Sequence, residues 1–405
     1  MERLSFVGKR KFSNELAFRV IALFTLTFSV VFLQGCEQIG YYGQAVQGHI
    51  DIMFSQESID NLIDDPKTDP KLKKRLNEVV SALEFAEHEL SIPQAQTNYR
   101  SFVQLDRQYP VWSVVAAPDD SLTPRQWCYP FVGCASYRGY YSEQAALAYA
   151  RAIADEGNMD THVGGADAYS TLGWFDDPVL STFFRRDEIG LHALIFHELA
   201  HQVLYLKGDS TFNESFASAV EESGVELWLK DRPELITKFQ ARRERSKGFT
   251  QLLRATRTKL DSVYQSDLSR NEKLEQKEQI LSELTENYKQ LKHTQWQDYA
   301  GYDRWFEKPV NNARLALVST YNRWVPAFKE WIQQCNYDFP TFYEEVRKLS
   351  EQEKEERERV LNLFTSQSSR SNQTDTTSQT DTLQSPKASD TTDAQPLPCK
   401  YSPNN

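Results

Sequence analysis

The 405-residue sequence has no surplus of basic charge. Its 46 Lys and Arg stand against 57 Asp and Glu, for a net charge of −11, which argues against nucleic acid as the main partner. Long hydrophobic runs are missing too. The mostly apolar stretch from Val20 to Leu33 is too short for a comfortable membrane span, which takes about 20 residues. There is no internal repeat, which sets aside solenoids and arrays. Cysteine is scarce, with five in all, and histidine little commoner, with seven. From Ser366 apolar residues almost vanish, leaving a Ser, Thr, Gln and Asp-rich tail. Such a tail cannot offset its ordering entropy, so 364–405 is expected to be disordered.

What is present starts at the N-terminus. Lys9, Arg10, Lys11 and Arg19 precede the apolar run, which ends in Leu33-Gln34-Gly35-Cys36. This order of basic, apolar and small residues reads as a signal peptide over 1–35. The ending resembles a bacterial lipoprotein box, in which the Cys is acylated and becomes the first residue. The plainer alternative is an uncleaved anchor. The resemblance implies a lipid-anchored, periplasm-facing protein of the bacterial cell envelope. Glu37 stands where such proteins carry an Asp for inner-membrane retention, so the outer membrane is preferred. Lipidation of Cys36 leaves Cys128, Cys134, Cys335 and Cys399, an even four in an oxidising compartment. Cys128 and Cys134, close together in "WCYPFVGC", can staple a loop. Cys335 and Cys399 either pair or stay as free thiols.

Along the rest of the chain, Leu72, Leu76, Val79, Leu83 and Ala86 recur at helical spacing and predict a helix over 71–90. "YPVWSVVAAP", 109–118, is β-rich. Ser142 caps a helix that Gly157 ends. Residues 161–175 are Gly-broken and β-branched or aromatic, a strand or extended loop. A helix is expected over 187–208, from an Asp187 cap to a Gly208 stop. Residues 225–295 read as a charged, exposed helical arm, and 311–333 and 339–362 as further helices.

The stretch "FHELAH", 196–201, concentrates the chemistry. His197 and His201 are four apart, so their rings share one helix face and can reach one Zn²⁺ at about 2.0–2.1 Å. Glu198 beside them can take a proton from a metal-activated water and pass it to a leaving amine. With seven His in the chain, an H-E-x-x-H arises by accident about once in a hundred such sequences. The plainer reading is two satisfied core histidines. Catalytic zinc takes three protein ligands. Glu214, thirteen after His201, and Glu221, twenty after, are the candidates. An N-cap at Asn213 would put Glu214 in the first turn of the next helix, facing back toward His201, and Glu221 about 10 Å further along. This favours Glu214.

Together, "IFHELAHQ…GDSTFNESFA", "AYSTLGWFDDP", "WCYPFVGCASYRGYY" and the lipoprotein box resemble the predicted-aminopeptidase family of bacterial envelope lipoproteins, from Cys36 to near Leu361. More broadly, the NE-x-x-A segment after HE-x-x-H looks like the gluzincin metallopeptidases, whose third ligand is a Glu. In many of those the gap is nearer that of Glu221. The resemblance implies an α+β, mainly helical, zincin-like domain over 36–363, with a small sheet and the charged arm. Its edge strand, before the HE-x-x-H helix, would bind peptide substrate through Tyr169, Ser170, Thr171 and Gly173. It also implies a downstream oxyanion-stabilising residue, for which Tyr321 is the candidate. The implied activity is zinc-dependent peptide-bond hydrolysis at peptide N-termini. The alternatives are an endopeptidase acting on envelope proteins, or a non-catalytic binding or assembly protein on the same scaffold.

Overall fold

A computed structural model describes residues 40–93, 95, 97–129, 133–166, 176–316, 323–377 and 399–400, with backbone only for 367–377. Cys36, Tyr169, Ser170, Thr171, Gly173 and Tyr321 lie outside the described residues. The chain divides into two compact units, Met1–Phe54 and Ser55–Asn405. In the first, the described part is a helix over 40–54, α1. Among the described residues no helix is long and apolar enough to cross a membrane.

The second unit is mainly helical with small sheets, an α+β arrangement. It opens with β1 (Glu57–Ser58), α2 (Ile59–Asp64) and α3 (Pro70–His88). Asp69 starts α3 by accepting from the Lys71 and Leu72 amides, with Pro70 pre-set at the first position. Its predicted apolar stripe is its buried face: Leu76, Val79, Leu83 and Ala86. β2 (Ser101–Val103), β3 (Val111–Pro118), β4 (Trp127–Tyr129), β5 (Gly133–Ala135) and β6 (Arg138–Tyr140) follow. Next come α4 (Glu143–Asp155), β7 (Met159–Ala166) and β8 (Val179–Leu180).

β3 is central in a three-stranded antiparallel sheet of order β6-β3-β7. This suits its run of Val and Ala, which is buried on both faces from Val114 to Ala117. A second sheet runs β1-β2-β8, with β8 parallel to β2. β4 and β5 form a two-stranded ladder in which Cys128 faces Cys134 across the pair, and the two form a disulfide. β7 is an edge strand before the His-bearing helix; of the expected edge strand "ADAYSTLGWF" only Ala166 lies in it, and 167–175 lie outside the described residues. Its pairing with β3 runs from Met159 opposite Pro118 to Ala166 opposite Val111. One stretch of its outer edge is covered, since Asn311 Nδ2 donates to the Thr161 carbonyl (2.9 Å).

α5 (Glu188–Val203) and α6 (Ser210–Trp228) form the centre of the unit. α7 (Pro233–Tyr264) and α8 (Arg270–Gln295) are the predicted charged arm. It is a helical hairpin with an apolar core of its own. Phe249, Leu253, Leu260, Ile280, Leu284, Tyr288 and Trp296 are buried together with Leu122 and Leu315. Charge ties the arm to the β3–β7 sheet. Lys277 Nζ donates to Asp160 (2.6 Å) and to the Asp119 carbonyl (3.0 Å), and Arg270 pairs with Asp119 and Asp120. The short helices α9 (Asp303–Phe306) and α10 (Asn312–Ala316) precede α11 (Val325–Gln334), α12 (Phe339–Ser350) and α13 (Lys354–Thr377). α13 continues past residue 363, where the tail was expected to begin. Cys399 forms a disulfide with Cys335, at the end of α11, and its carbonyl accepts from Trp331 Nε1 (2.8 Å).

Candidate metal centre

α5 starts at Asp187, whose carboxylate accepts from the Gly190 amide (2.9 Å), and Glu188 adds negative charge in the first turn. It ends at Val203, five residues before the expected Gly208 stop. Leu204 is already extended, and Arg347 of α12 donates to the Val203 carbonyl (3.3 Å). Gly208 still marks a turn, with φ +84°, inside the six-residue connection 204–209.

The start of α6 also differs from expectation. Its cap is Asp209, which accepts from the Phe212 amide (3.1 Å) and is held by Arg357 (2.9 Å). Asn213 is not the cap. It is buried in the second turn, where Oδ1 accepts from the Leu206 amide (2.7 Å) and Nδ2 donates to the Leu206 carbonyl (2.8 Å). One side chain thus satisfies both backbone groups of a residue in the connection and fixes its path.

That path folds α6 back along α5. His201 lies near Glu214 and His197 near Glu221, while the Cβ position of Gly224 lies within 2.9 Å of Phe196 Cδ2. Positions descending α5 meet positions ascending α6, so the helices are antiparallel. Gly224 permits the close approach, because a Cβ there would also lie 2.7 Å from Leu90 Cδ1.

The antiparallel pair gathers His197, His201 and Glu214, with one donor atom from each within 4.8 Å of the others. Glu214 Oε2 is 3.4 Å from His197 Nε2 and 3.8 Å from His201 Nε2. These separations exceed a good hydrogen bond. Donors about 2.0–2.1 Å from a shared tetrahedral ion stand about 3.3 Å apart, so the trio fits a metal ion. Glu221, the alternative third ligand, lies elsewhere: its Oε2 is 3.0 Å from His197 Nδ1. It orients the ring from the far nitrogen and leaves Nε2 for the cluster. His201 Nδ1 is buried without a hydrogen-bond partner among the described residues.

The electrostatics suit cation binding. Burial pushes His201 down to about 4, helped by His197, so its imidazole is neutral, as a ligand must be. Burial also works against a charged His197, but Glu214, Glu221 and Glu198 outweigh it and raise the group well above its ordinary value. That surplus of negative charge is what a divalent cation would neutralise. Glu214 is held below the usual carboxylate range: its two histidine neighbours outweigh burial. Burial pushes Glu198 up to about 7. His197 and Arg186 oppose this, and Glu214 and Asp177 reinforce it. A carboxyl poised near neutrality can both accept and return a proton.

Two further residues act on the cluster. The buried Asp177 acts on Glu198, and a short relay holds its segment against α5. The Asp177 amide donates to Asn98 Oδ1 (3.2 Å), whose Nδ2 donates to Gln202 (2.7 Å), next to His201. Tyr205, in the α5–α6 connection, is raised by burial and by the Glu214 charge. No local periodicity marks either residue, and only the contact of distant segments reveals them.

Residues 40–361 match the family described as "putative aminopeptidase". The match spans well over half of the chain, which therefore belongs to that family. No curated protein and no solved structure matches the chain.

Proposed function

We propose, from membership of that family and from the His–His–Glu cluster, that the protein is a zinc-dependent aminopeptidase with a zincin-like site. It would act on peptides in the bacterial cell envelope, anchored through an acylated Cys36. The observation that carries this reading is the cluster itself. Three donors from α5 and α6 converge at metal-ligand spacing, with the half-buried Glu198 next to the first of them.

His197 Nε2, His201 Nε2 and Glu214 would hold the ion, and Glu221 keeps the His197 ring turned for it. Zinc so held would supply Lewis acidity to a water and to the scissile carbonyl. Glu198 takes the proton released as that water attacks. With a pKa near 7, it can give the proton to the departing amine. Tyr205 and Asp177 border the cluster; Asp177 is a carboxylate of the kind that pairs with a substrate's α-ammonium. The basic and apolar order of residues 9–33 before Cys36 supports the envelope location. So do the Cys128–Cys134 and Cys335–Cys399 disulfides, which persist in oxidising compartments.

The test is metal analysis of the purified protein, together with cleavage assays on matched peptides with free and acetylated N-termini. One equivalent of zinc and cleavage confined to free N-termini is the expected result. Equal cleavage of both sets would make the protein an endopeptidase. A metal-free protein with full activity would remove the proposal.

A further inference from the structure

Helix α1, over 40–54, carries an apolar stripe that nothing in the proposed chemistry uses. Tyr42, Val46, Ile50 and Phe54 are 41%, 59%, 40% and 87% exposed. They are four of the nine large hydrophobic side chains exposed among the described residues, and no other element carries more than one. They recur every four positions. Such a row drifts by about 40° per step and stays on one side of a helix for about 18 Å.

The polar residues beside the stripe do little to make it a water-facing surface. Gly43, Gln47 and Asp51 are its exposed neighbours, and Asp51 is the only Asp, Glu, Lys or Arg in 40–54. Its carboxylate accepts a hydrogen bond from Gln47 Nε2 (2.7 Å). An exposed apolar row of this kind on a soluble surface marks an interaction site.

The sequence directly before α1 says what covers it. The described part of the helix begins four residues after Cys36, the residue expected to be acylated, and that Cys follows the apolar run Val20–Leu33. Four residues span at most about 14 Å, so a lipid on Cys36 holds the start of α1 at the bilayer surface. We propose that α1 lies flat on the membrane with Tyr42, Val46, Ile50 and Phe54 seated at the boundary between headgroups and acyl chains. An acyl chain alone leaves the residues after it free to swing, and lasting, oriented attachment takes a second contact. The occupant is therefore a phospholipid surface. The inference rests on the lipid-anchor part of the proposed function and not on its catalytic part.

The test uses the full chain, produced with its own N-terminus and reconstituted into vesicles of phosphatidylethanolamine and phosphatidylglycerol. These contain a phospholipid with a photoreactive acyl chain. After illumination, lipid adducts are located by peptide mass spectrometry. Adducts at Tyr42, Val46, Ile50 and Phe54 are expected, besides those at the N-terminal anchor. The triple variant Val46→Glu, Ile50→Glu, Phe54→Glu should lose the adducts in 40–54 and keep those at the anchor. Its thermal unfolding should be unchanged, which separates lost membrane contact from lost fold. Adducts confined to the anchor overturn the proposal while leaving the anchor intact. No adducts anywhere would refute the anchor and the proposal together. A photoreactive amino acid placed at Phe54 in the same vesicles reads the other occupants: cross-links to a second copy, or to residues 20–33 of the same chain, would assign the stripe there and overturn the membrane reading.

Discussion

Glu221 Oε2 stands 3.0 Å from His197 Nδ1, while Glu214 Oε2 stands 3.4 Å from Nε2 of the same ring. The two carboxylates are seven residues apart on α6 and address opposite nitrogens of one imidazole. Their substitution should therefore have unequal effects. Glu214→Ala should abolish metal retention through dialysis. Glu221→Ala should weaken metal affinity by about 10–100-fold and keep metal when it is in excess. Titration with a competing chelator measures both, and equal loss in the two variants would contradict the assignment.

Glu198 is half-buried beside the cluster and is not one of its three donors. Glu198→Gln keeps the size of the side chain and removes its proton chemistry. Metal content should match the parent, and kcat should fall by about 10²–10⁴-fold. Steady-state kinetics on a cleaved peptide, with metal analysis of the same sample, checks this. Near-normal turnover would falsify the role given to Glu198.

Gly224 lets α6 approach α5. A methyl group there meets Leu90 Cδ1 at 2.7 Å and Phe196 Cδ2 at 2.9 Å, and both side chains are fully buried. Gly224→Ala should destabilise the protein by about 1–3 kcal/mol through overpacking. Denaturant unfolding gives the value, and a variant as stable as the parent would show that the helices have room to part.

His192 sets a pH dependence separate from metal binding. Its ring is stacked on Trp228 at 4.0 Å, and Nδ1 donates to the Glu188 carbonyl (2.9 Å). Burial pushes it down to about 4, Arg232 and Arg75 add to this, and the hydrogen bond to Glu188 opposes it. The folded chain thus resists a proton that the unfolded chain takes up below its ordinary value of 6.5. The contribution is complete above pH 6.5, is lost as pH falls toward about 4, and then levels off. Its size is at most about 3 kcal/mol. Melting temperatures between pH 7 and about 4, with chelator throughout, should fall less steeply for His192→Gln than for the parent. Parallel curves would remove His192 from the effect.

Much of the cluster could be read locally, because a helix makes positions 197 and 201 neighbours whatever surrounds them. Glu214 was legible through its short distance from His201, though for a partly mistaken reason. Asn213 has the chemistry of a cap, but Asp209 takes that role and Asn213 pins Leu206 instead. The end of α5 could not be read, since it depends on Arg347, 144 residues beyond Val203. The arm looked like a solvated hairpin because charge dominates its composition. Its Phe, Tyr and Trp are widely spaced in sequence and meet only when α7, α8 and α9 pack together. Gly164 and Gly165 resemble a break, yet both lie within the β7 ladder, opposite Ser113 and Trp112.

The Cys335–Cys399 bond makes everything between those residues a covalent ring, with α12 and α13 as part of its circumference. A single cut anywhere on a ring opens it without releasing a piece. A protease meeting this protein in an oxidising compartment would therefore need two cuts, or one cut and a reductant, to shed the segment. On a non-reducing gel a once-nicked chain would migrate as one molecule, and on a reducing gel as two.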